Sequence, residues 1–460
     1  MRKTRWLPIA VLILALLFSG CVAPVPQSAP AAAPDAAAET ASNAPSDKEP
    51  VTITFWHHWG GNRVPLMEEQ IRRFEEKYPW ITVQMTLQPW ENRLQKILTS
   101  VAAGEPPDVT MLGRQDVPAF VEQGALMPID DLMSAAGITT DMFYESEISG
   151  AIYNGQTYLL PLPTGGGISV LWYNKDMFAE VGLDPESPPQ TWAELEEAAK
   201  SLTIMEDGEL QRVGINPRVN GLHAGISFLG WLHNNGGQWI SDDMRTITWN
   251  SPEGLEALKW VVDFTNNING GVEEVDAFYS QTGEWENGPF YTGYEAMQTN
   301  GTWELFKILE FAPDMKFDIV PIPYGPQGDP AKRGFVYGGW GYVIPAGVEN
   351  VEAAWLLLEF LTADMDGACW FLQEQQRPSP WIECNEQPES SADNPYWDGF
   401  LEVLATDQLI PVSPVQPAIE QIVVQMQEEA LFGVQTPEEA LAWGAAEAQA
   451  VLDEFWAGKQ

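Results

Sequence analysis

The chain runs to 460 residues with 23 basic and 65 acidic side chains, a formal net charge of −42. A surface so acidic repels nucleic-acid phosphates and anionic lipid, which excludes a polynucleotide partner. The acids are scattered over helical segments rather than gathered in a block, and the three cysteines and four histidines show no zinc-ligand spacing.

At the N-terminus, Arg2, Lys3 and Arg5 precede an apolar stretch from Leu7 to Phe18. That stretch is too short to span a bilayer permanently and suits the core of an export signal. It ends in Leu17-Phe18-Ser19-Gly20-Cys21, which resembles a bacterial lipobox, although Phe18 stands where an aliphatic residue is usual. The expectation is a signal peptide over residues 1–20 and lipid attachment at Cys21; the alternative is an ordinary cleaved signal with an incidental cysteine. Residues 21–50 are almost entirely Ala, Pro, Ser, Thr, Asn and a few acids, without an aromatic side chain. Such a stretch cannot bury enough apolar area to offset its ordering entropy and reads as an unstructured tether.

The folded body is expected to open at Val51, with the β-type run Val51-Thr52-Ile53-Thr54-Phe55-Trp56. Roughly 410 residues follow, which suits about two domains. No later run reaches the ~18 apolar residues of a membrane-spanning helix. Met67, Ile71, Phe74 and Tyr78 form one stripe of a helix that starts near Pro65 and is stopped by Pro79. Ile81, Val83 and Met85 alternate as a strand, Leu94, Leu98 and Val101 mark the next helix, and Val109 to Leu112 is a third strand. This alternation predicts an α/β domain with a largely parallel sheet.

Further along, Ile168 to Tyr173 is an apolar strand, and Thr191 with Glu194 makes a capping box for a helix carrying Trp192, Leu195 and Leu202. Trp239-Ile240 and Thr246 to Trp249 read as strands of a hairpin. Ser251-Pro252 opens another helix. Tyr342 to Pro345 is a strand, followed by a helix through Trp355, Leu358 and Leu361. The chain closes on a second capping box, Thr436 with Glu439, ahead of a helix with Leu441, Ala445, Ala448, Leu452 and Phe455 on one face. Cys369 and Cys384 lie 15 residues apart; in an oxidising compartment they pair and stabilise by about 3 kcal/mol, the alternative being two separate buried thiols.

Several landmarks in this order resemble the carbohydrate-binding group of extracellular solute-binding proteins that serve ABC importers. They include Trp56-His57-His58-Trp59-Gly60, Ala102-Ala103-Gly104-Glu105-Pro106-Pro107-Asp108-Val109 and Tyr158-Leu159-Leu160-Pro161. Leu171-Trp172-Tyr173-Asn174-Lys175-Asp176-Met177-Phe178, Pro189-Gln190-Thr191-Trp192 and Asn300-Gly301-Thr302-Trp303 continue the series. The resemblance covers nearly everything from Val51 to Phe455. It implies a periplasmic-binding-protein-like α/β fold of type II, two lobes with the ligand in the cleft between them. One lobe would hold residues 51–163 plus 337–377, the other 164–336 plus 378–460. Crossing strands would lie near Pro161–Gly167, Gly334–Gly339 and Arg377–Pro380, with Gly165-Gly166-Gly167 and Gly338-Gly339 absorbing the backbone change of closure.

Twenty tryptophans are a heavy share for this length. A pyranose offers an apolar C–H face to aromatic rings and a rim of hydroxyls to polar side chains. Trp172, Trp192, Trp260 and Trp355 fall inside regular elements and are expected in the core. Trp59, Trp231, Trp303 and Trp340 fall beside Gly or Asn, where a ligand could approach. The resemblance places Trp303 at a sugar-stacking position and Trp340, with Gly339, at the second crossing. His58, Gln115, Asp116 and Arg377 are the polar candidates, each weighed against a loop-stabilising role. Members of the resembled group often carry a carboxylate where Gln115 falls. Adjacent His57 and His58 on a strand point to opposite faces and cannot share one ion, so no metal site is expected. No calcium loop, phosphate-binding Gly-rich run or Gly-x-Ser-x-Gly elbow is present, so no cofactor is expected.

The expected function is therefore non-catalytic: capture of a sugar or oligosaccharide outside the membrane by lobe closure, and delivery to an ABC permease, by a monomer held to the membrane by its lipid. The rivals are a binder of another solute, such as a polyamine or peptide, and a secreted glycoside hydrolase with two carboxylates across its cleft.

Overall fold

The computed structural model describes residues 48–162, 170–218, 227–283, 287–333, 335–336, 339–391, 394–406, 408–409 and 411–459. The expected leader with Cys21, nearly all of the tether, and Gly165-Gly166-Gly167, Gly334 and Gly338 of the expected crossings lie outside the described residues. Lys48 already belongs to the body: its ammonium stands 4.4 Å from the Trp80 ring centroid and pairs with Glu352.

In chain order the elements used below begin with β1 (Val51–His57), α1 (Arg63–Lys77), β2 (Ile81–Leu87), α2 (Arg93–Ala102) and β3 (Val109–Gly113). Next come β4 (Leu159–Pro161), β5 (Val170–Asn174), α3 (Trp192–Leu202), α4 (Pro252–Asn267), β6 (Met297–Asn300) and α5 (Glu304–Phe311). The last are β7 (Phe317–Pro321), β8 (Trp340–Val343), α6 (Val351–Thr362), α7 (Gln416–Leu431) and α8 (Pro437–Ala457).

The first sheet has the order β2-β1-β3-β8-β4. β1 runs parallel to β2 and β3, as their helical crossovers require, while β8 returns antiparallel to both β3 and β4. Ile53 and Phe55 on β1 face a core shared with Met67, Ile71 and Phe74, the apolar stripe of α1. Tyr342 on β8 and Leu357, Leu358 and Leu361 on α6 close the same core from a distant part of the chain.

A separate core gathers Trp192 and Leu195 of α3, Val261 of α4, and Ile419 and Val423 of α7 with Leu441 and Leu452 of α8. Its sheet, β6-β5-β7, is antiparallel throughout, unlike the parallel arrangement of the first. Leu171 and Tyr173 of β5 face this large core, whereas Val170 and Trp172 face a smaller one with Phe290, Leu305 and Phe400. Both faces are covered, which is why the strand is apolar at successive positions instead of alternating.

Two features depart from the sequence expectations. The hairpin at residues 239–249 reduces to a single bridge between Ile240 and Ile247, because Ser241 and Asp243 side chains take the turn amides of Arg245 and Thr246. Trp381 and Cys384, expected beyond a crossing at Arg377–Pro380, pack into the first core; Phe143 bridges Trp381, and the Tyr144 amide donates to the Pro380 carbonyl at 3.0 Å. Cys369 and Cys384 are joined by a disulfide within this core.

Candidate functional site

In parallel sheets, ligands gather beyond the carboxyl ends of the strands, where loops diverge. Here the loops after β1, β2 and β3 leave the sheet at one end, and β8 enters there, with Trp340 paired to Gly113. These four segments bring together His58, Trp90, Arg93, Gln115, Asp116 and Trp340.

His58 is buried, and its Nδ1 lies 3.1 Å from the Gln88 carbonyl, a contact that requires Nδ1 to carry the proton. Burial depresses its pKa below the usual 6.5, reinforced by Arg93 and Lys96 and opposed by the Gln88 contact, so the ring is neutral at pH 7. Nε2 is therefore an acceptor, and it has no partner among the described residues. The ring centroid stands 5.2 Å from Trp90 and 6.5 Å from Trp340, while the two indoles lie 5.1 Å apart at 63°. The Arg93 guanidinium borders this aromatic box, 5.2 Å from the Trp340 centroid and 5.6 Å from Trp90, and its Nε is also unpartnered among the described residues.

Beyond β3, a tight turn over Arg114–Asp116 presents two further side chains. Gln115 Oε1 and Asp116 Oδ2 have no partner among the described residues, although Asp116 is only 5% exposed. Burial pushes the Asp116 carboxyl up to about 6, with Arg93 opposing. Both side chains fold back over Gly113, where a Cβ would meet Gln115 Nε2 at 2.4 Å and Asp116 Oδ2 at 2.7 Å. Glycine at 113 is thus what lets them take this position.

The second half faces this edge with α7 and the start of α5. Glu420 on α7 is raised to about 7 by burial and by the neighbouring Asp116 charge, with Arg93 opposing. Trp303 caps α5, and its ring lies over Gly301, where a Cβ would come within 2.0 Å of it. The loop is fixed by Glu304, fully buried, whose carboxylate accepts from Gln298 Nε2 (2.8 Å), Asn300 Nδ2 (2.6 Å) and the Tyr291 hydroxyl. One turn on, Phe306 faces Arg63 of the first half at 5.6 Å, and Asn62 donates to Glu310. Met244 packs against both large cores and Lys459 pairs with Glu122, so the halves also meet at a second edge.

Not every expected contact faces this cleft. Trp59 is a core residue: it is buried, and Arg63 covers its ring at 4.4 Å. Trp231 stands not in a loop but on the helix Ser227–Asn234, packed 4.7 Å from Trp260 and edge-on to Trp192, its N–H donating to the Pro217 carbonyl at 2.6 Å. Trp172, Trp192, Trp260 and Trp355 are buried, as their placement within elements suggests. Gly339 leaves room for the Arg114 guanidinium, 1.8 Å from where a Cβ would stand, so its open side is already filled. Arg377 is 2% exposed and shares the Gln375 Oε1 with Arg63. Arg114 is held by Glu147 at 2.9 Å in a fully buried ion pair and by the Ser146 and Glu147 carbonyls.

Sequence reasoning missed Trp90, Arg93 and Glu420. The first two had a signal, since they follow an alternating strand in the same way that His58 follows β1. Glu420 had none, being one acid among 65 on a long helix.

Residues 60–368 match the family model for bacterial extracellular solute-binding proteins, and the chain belongs to that family. Its fold is thus the two-lobed α/β fold of periplasmic-binding proteins, and its class is one of solute binders rather than enzymes. A Thermotoga lettingae ABC-transporter solute-binding protein, bound with α-D-tagatose, is 28% identical and superimposes with a TM-score of 0.71 over 87% of this chain and 99% of its own. The protein designated CpMnBP1, with mannotriose bound, is 25% identical, with a TM-score of 0.72 over 86% of this chain and 100% of its own. The sn-glycerol-3-phosphate-binding periplasmic protein UgpB of Escherichia coli K12 is 24% identical over 85% of this chain and 90% of its own length.

Proposed function

We propose that this protein captures a sugar or short oligosaccharide outside the cytoplasmic membrane and delivers it to an ABC permease by closing its two lobes, without bond cleavage. The observation that carries this reading is the aromatic box of Trp90, His58 and Trp340 with the unpartnered atoms around it, His58 Nε2, Gln115 Oε1, Asp116 Oδ2 and Arg93 Nε. Flat rings beside three free acceptors and one donor suit a guest with apolar C–H faces and several adjacent hydroxyls. The tagatose and mannotriose ligands of the two similar structures support the same class of guest.

In this reading, residues 51–163 with 337–377 form one lobe, extended through Cys384, and the remainder of the body forms the other. Trp303 supplies an aromatic face from the second lobe. Cys21 carries the lipid and residues 22–47 form the spacer, which places a monomer at the outer face of the membrane. Calorimetric titration with neutral mono- and oligosaccharides, sn-glycerol 3-phosphate and a polyamine tests it. Saturable binding of a neutral saccharide without released product is expected. Binding confined to the phosphate or the amine, or release of monosaccharide, would refute it.

A further inference from the structure

Arg63 opens α1, directly after the loop that leaves β1 at the sheet edge carrying His58, so it stands on the same side of the molecule as the aromatic box. Its own half presets the guanidinium. One flat face lies 4.4 Å from the centroid of the buried Trp59 ring, and Nε donates to Gln375 Oε1 at 3.2 Å. Gln375 is fixed in turn: it is buried, its Nε2 donates to the Phe371 carbonyl at 2.9 Å, and it lies in the loop closed by the Cys369–Cys384 disulfide. Burial lowers the guanidinium to about 10, with Glu304 and Glu310 opposing, so it is a cation at neutral pH.

The remaining neighbours belong to the second half. The Phe306 ring centroid is 5.6 Å from the guanidinium carbon, and the adjacent Asn62 donates to Glu310. Phe306 and Glu310 are one turn apart on α5 and share a face, while Trp303 caps the start of the same helix. Leu305 and Ile308 bury the other side of α5 in the small core with Val170 and Trp172. Phe306, half-buried, belongs to none of the hydrophobic cores among the described residues, so part of its cover comes from the opposite half through Arg63.

We propose that Arg63 and Phe306 form a cross-cleft clasp, a cation–π contact that positions α5, and with it Trp303, against the guest without touching the guest itself. The proposal rests on the sugar-capture reading, in which Trp303 supplies an aromatic face from the second lobe. When the halves part, Arg63 keeps Trp59 and Gln375 and loses only Phe306. A contact made in the shut form alone favours that form by its own free energy, and the guest's apparent affinity rises with the shut fraction. The guanidinium suits this task because it is planar and weakly hydrated, so it can lie against an aromatic ring on either side while its edge keeps a hydrogen bond. Arg63 and Phe306 are therefore positioning residues.

The test measures mannotriose affinity and release in the full chain, by calorimetry and stopped-flow tryptophan fluorescence. Phe306→Leu keeps most of the apolar volume but removes the ring face; it should weaken binding by about three- to thirtyfold, chiefly through faster release, with the melting temperature unchanged. Phe306→Tyr restores an aromatic face and should bind within about twofold of the parent. Arg63→Gln should weaken binding as well, and the double variant Phe306→Leu with Arg63→Gln should be within about twofold of the weaker single variant, because both changes remove one contact. Solution scattering of guest-free Phe306→Leu should show a larger radius than the parent. Unchanged or tighter binding in Phe306→Leu, or losses that multiply in the double variant as for an Arg63 that touches the guest, would overturn the proposal. If the parent binds no neutral saccharide, sugar capture fails, and scattering then decides the clasp: a radius that Phe306→Leu leaves unchanged ends it.

Discussion

Whether a tryptophan serves a ligand or the core is decided by what already covers its faces, and the sequence shows only its neighbours along the chain. Trp231 and Trp340 both sit beside glycine, yet one is enclosed by Trp192 and Trp260 while the other is part-exposed and bordered by His58, Trp90 and Arg93. Trp340→Ala and Trp90→Ala should each weaken saccharide binding by about 1–3 kcal/mol with little change in melting temperature. Trp231→Ala should instead cost about 3–5 kcal/mol of stability, read by denaturant unfolding. The reverse pattern would mean that the cleft is elsewhere. Gly113 gives a finer check. The atoms nearest its added Cβ are the flexible ends of Gln115 and Asp116, so Gly113→Ala should lower affinity while leaving the unfolding midpoint within about a degree or two. Alternation marks the strand ends in the sequence, and the structure gathers His58, Gln115, Asp116 and Trp340 at that edge of the first sheet. Around Trp59, Trp231, Gly339 and Arg377 the space is taken by tertiary neighbours that the sequence does not show.

Elements were legible where a local side-chain signal closes on itself. Both capping boxes form, Thr191 with Glu194 and Thr436 with Glu439, and each accepts and donates within four residues. The Ser251 cap of α4 likewise accepts from the Gly254 amide at 3.1 Å. Strand direction was not legible: the apolar run of β5 marks a strand, but its partners β6 and β7 come from residues more than a hundred positions later and run against it. Contacts of that range carry no local signature. The disulfide belongs to this scale as well, since it ties the π-helical turn Met365–Cys369 to the short helix Ile382–Asn385 inside the first core. The loop it closes is 15 residues, for which chain entropy predicts about 3 kcal/mol. Replacing both cysteines by alanine should therefore lower the unfolding free energy by that order. Calorimetry should show the loss in the transition that carries the first core, and an unchanged profile would mean that the bond closes an already ordered loop.

At the scale of the whole molecule, charge sets how stability varies with pH. Glu295 is fully buried; burial raises its carboxyl to about 7, with Glu304 adding and the Tyr279 hydroxyl and the Asn216 backbone opposing. In the unfolded chain a glutamate titrates near 4.3. A raised acid contributes stability that is complete below the unfolded value and is lost as pH rises through the folded one, so the window runs from about 4.3 to about 7. Asp116 and Glu420 act in the same direction over nearly the same range. The formal charge of −42 adds to them, because carboxylate repulsion grows as the remaining acids ionise. Opposing these are paired carboxylates such as Glu69, held down to about 2 by Arg72 and Arg73, whose contribution disappears only as pH falls toward that value. The melting temperature should therefore peak on the acid side, near pH 5, and decline toward pH 8. Added salt should recover part of the loss at pH 8 and little at pH 5, since screening acts on the repulsion that acid has already removed. Glu295→Gln separates the buried acid from the surface field: it should flatten the decline between pH 5 and 7 by ~3 kcal/mol at most, leaving the salt response intact. A melting temperature that climbs steadily from pH 5 to 8 would show that ion pairing, not carboxyl burial and repulsion, governs this fold.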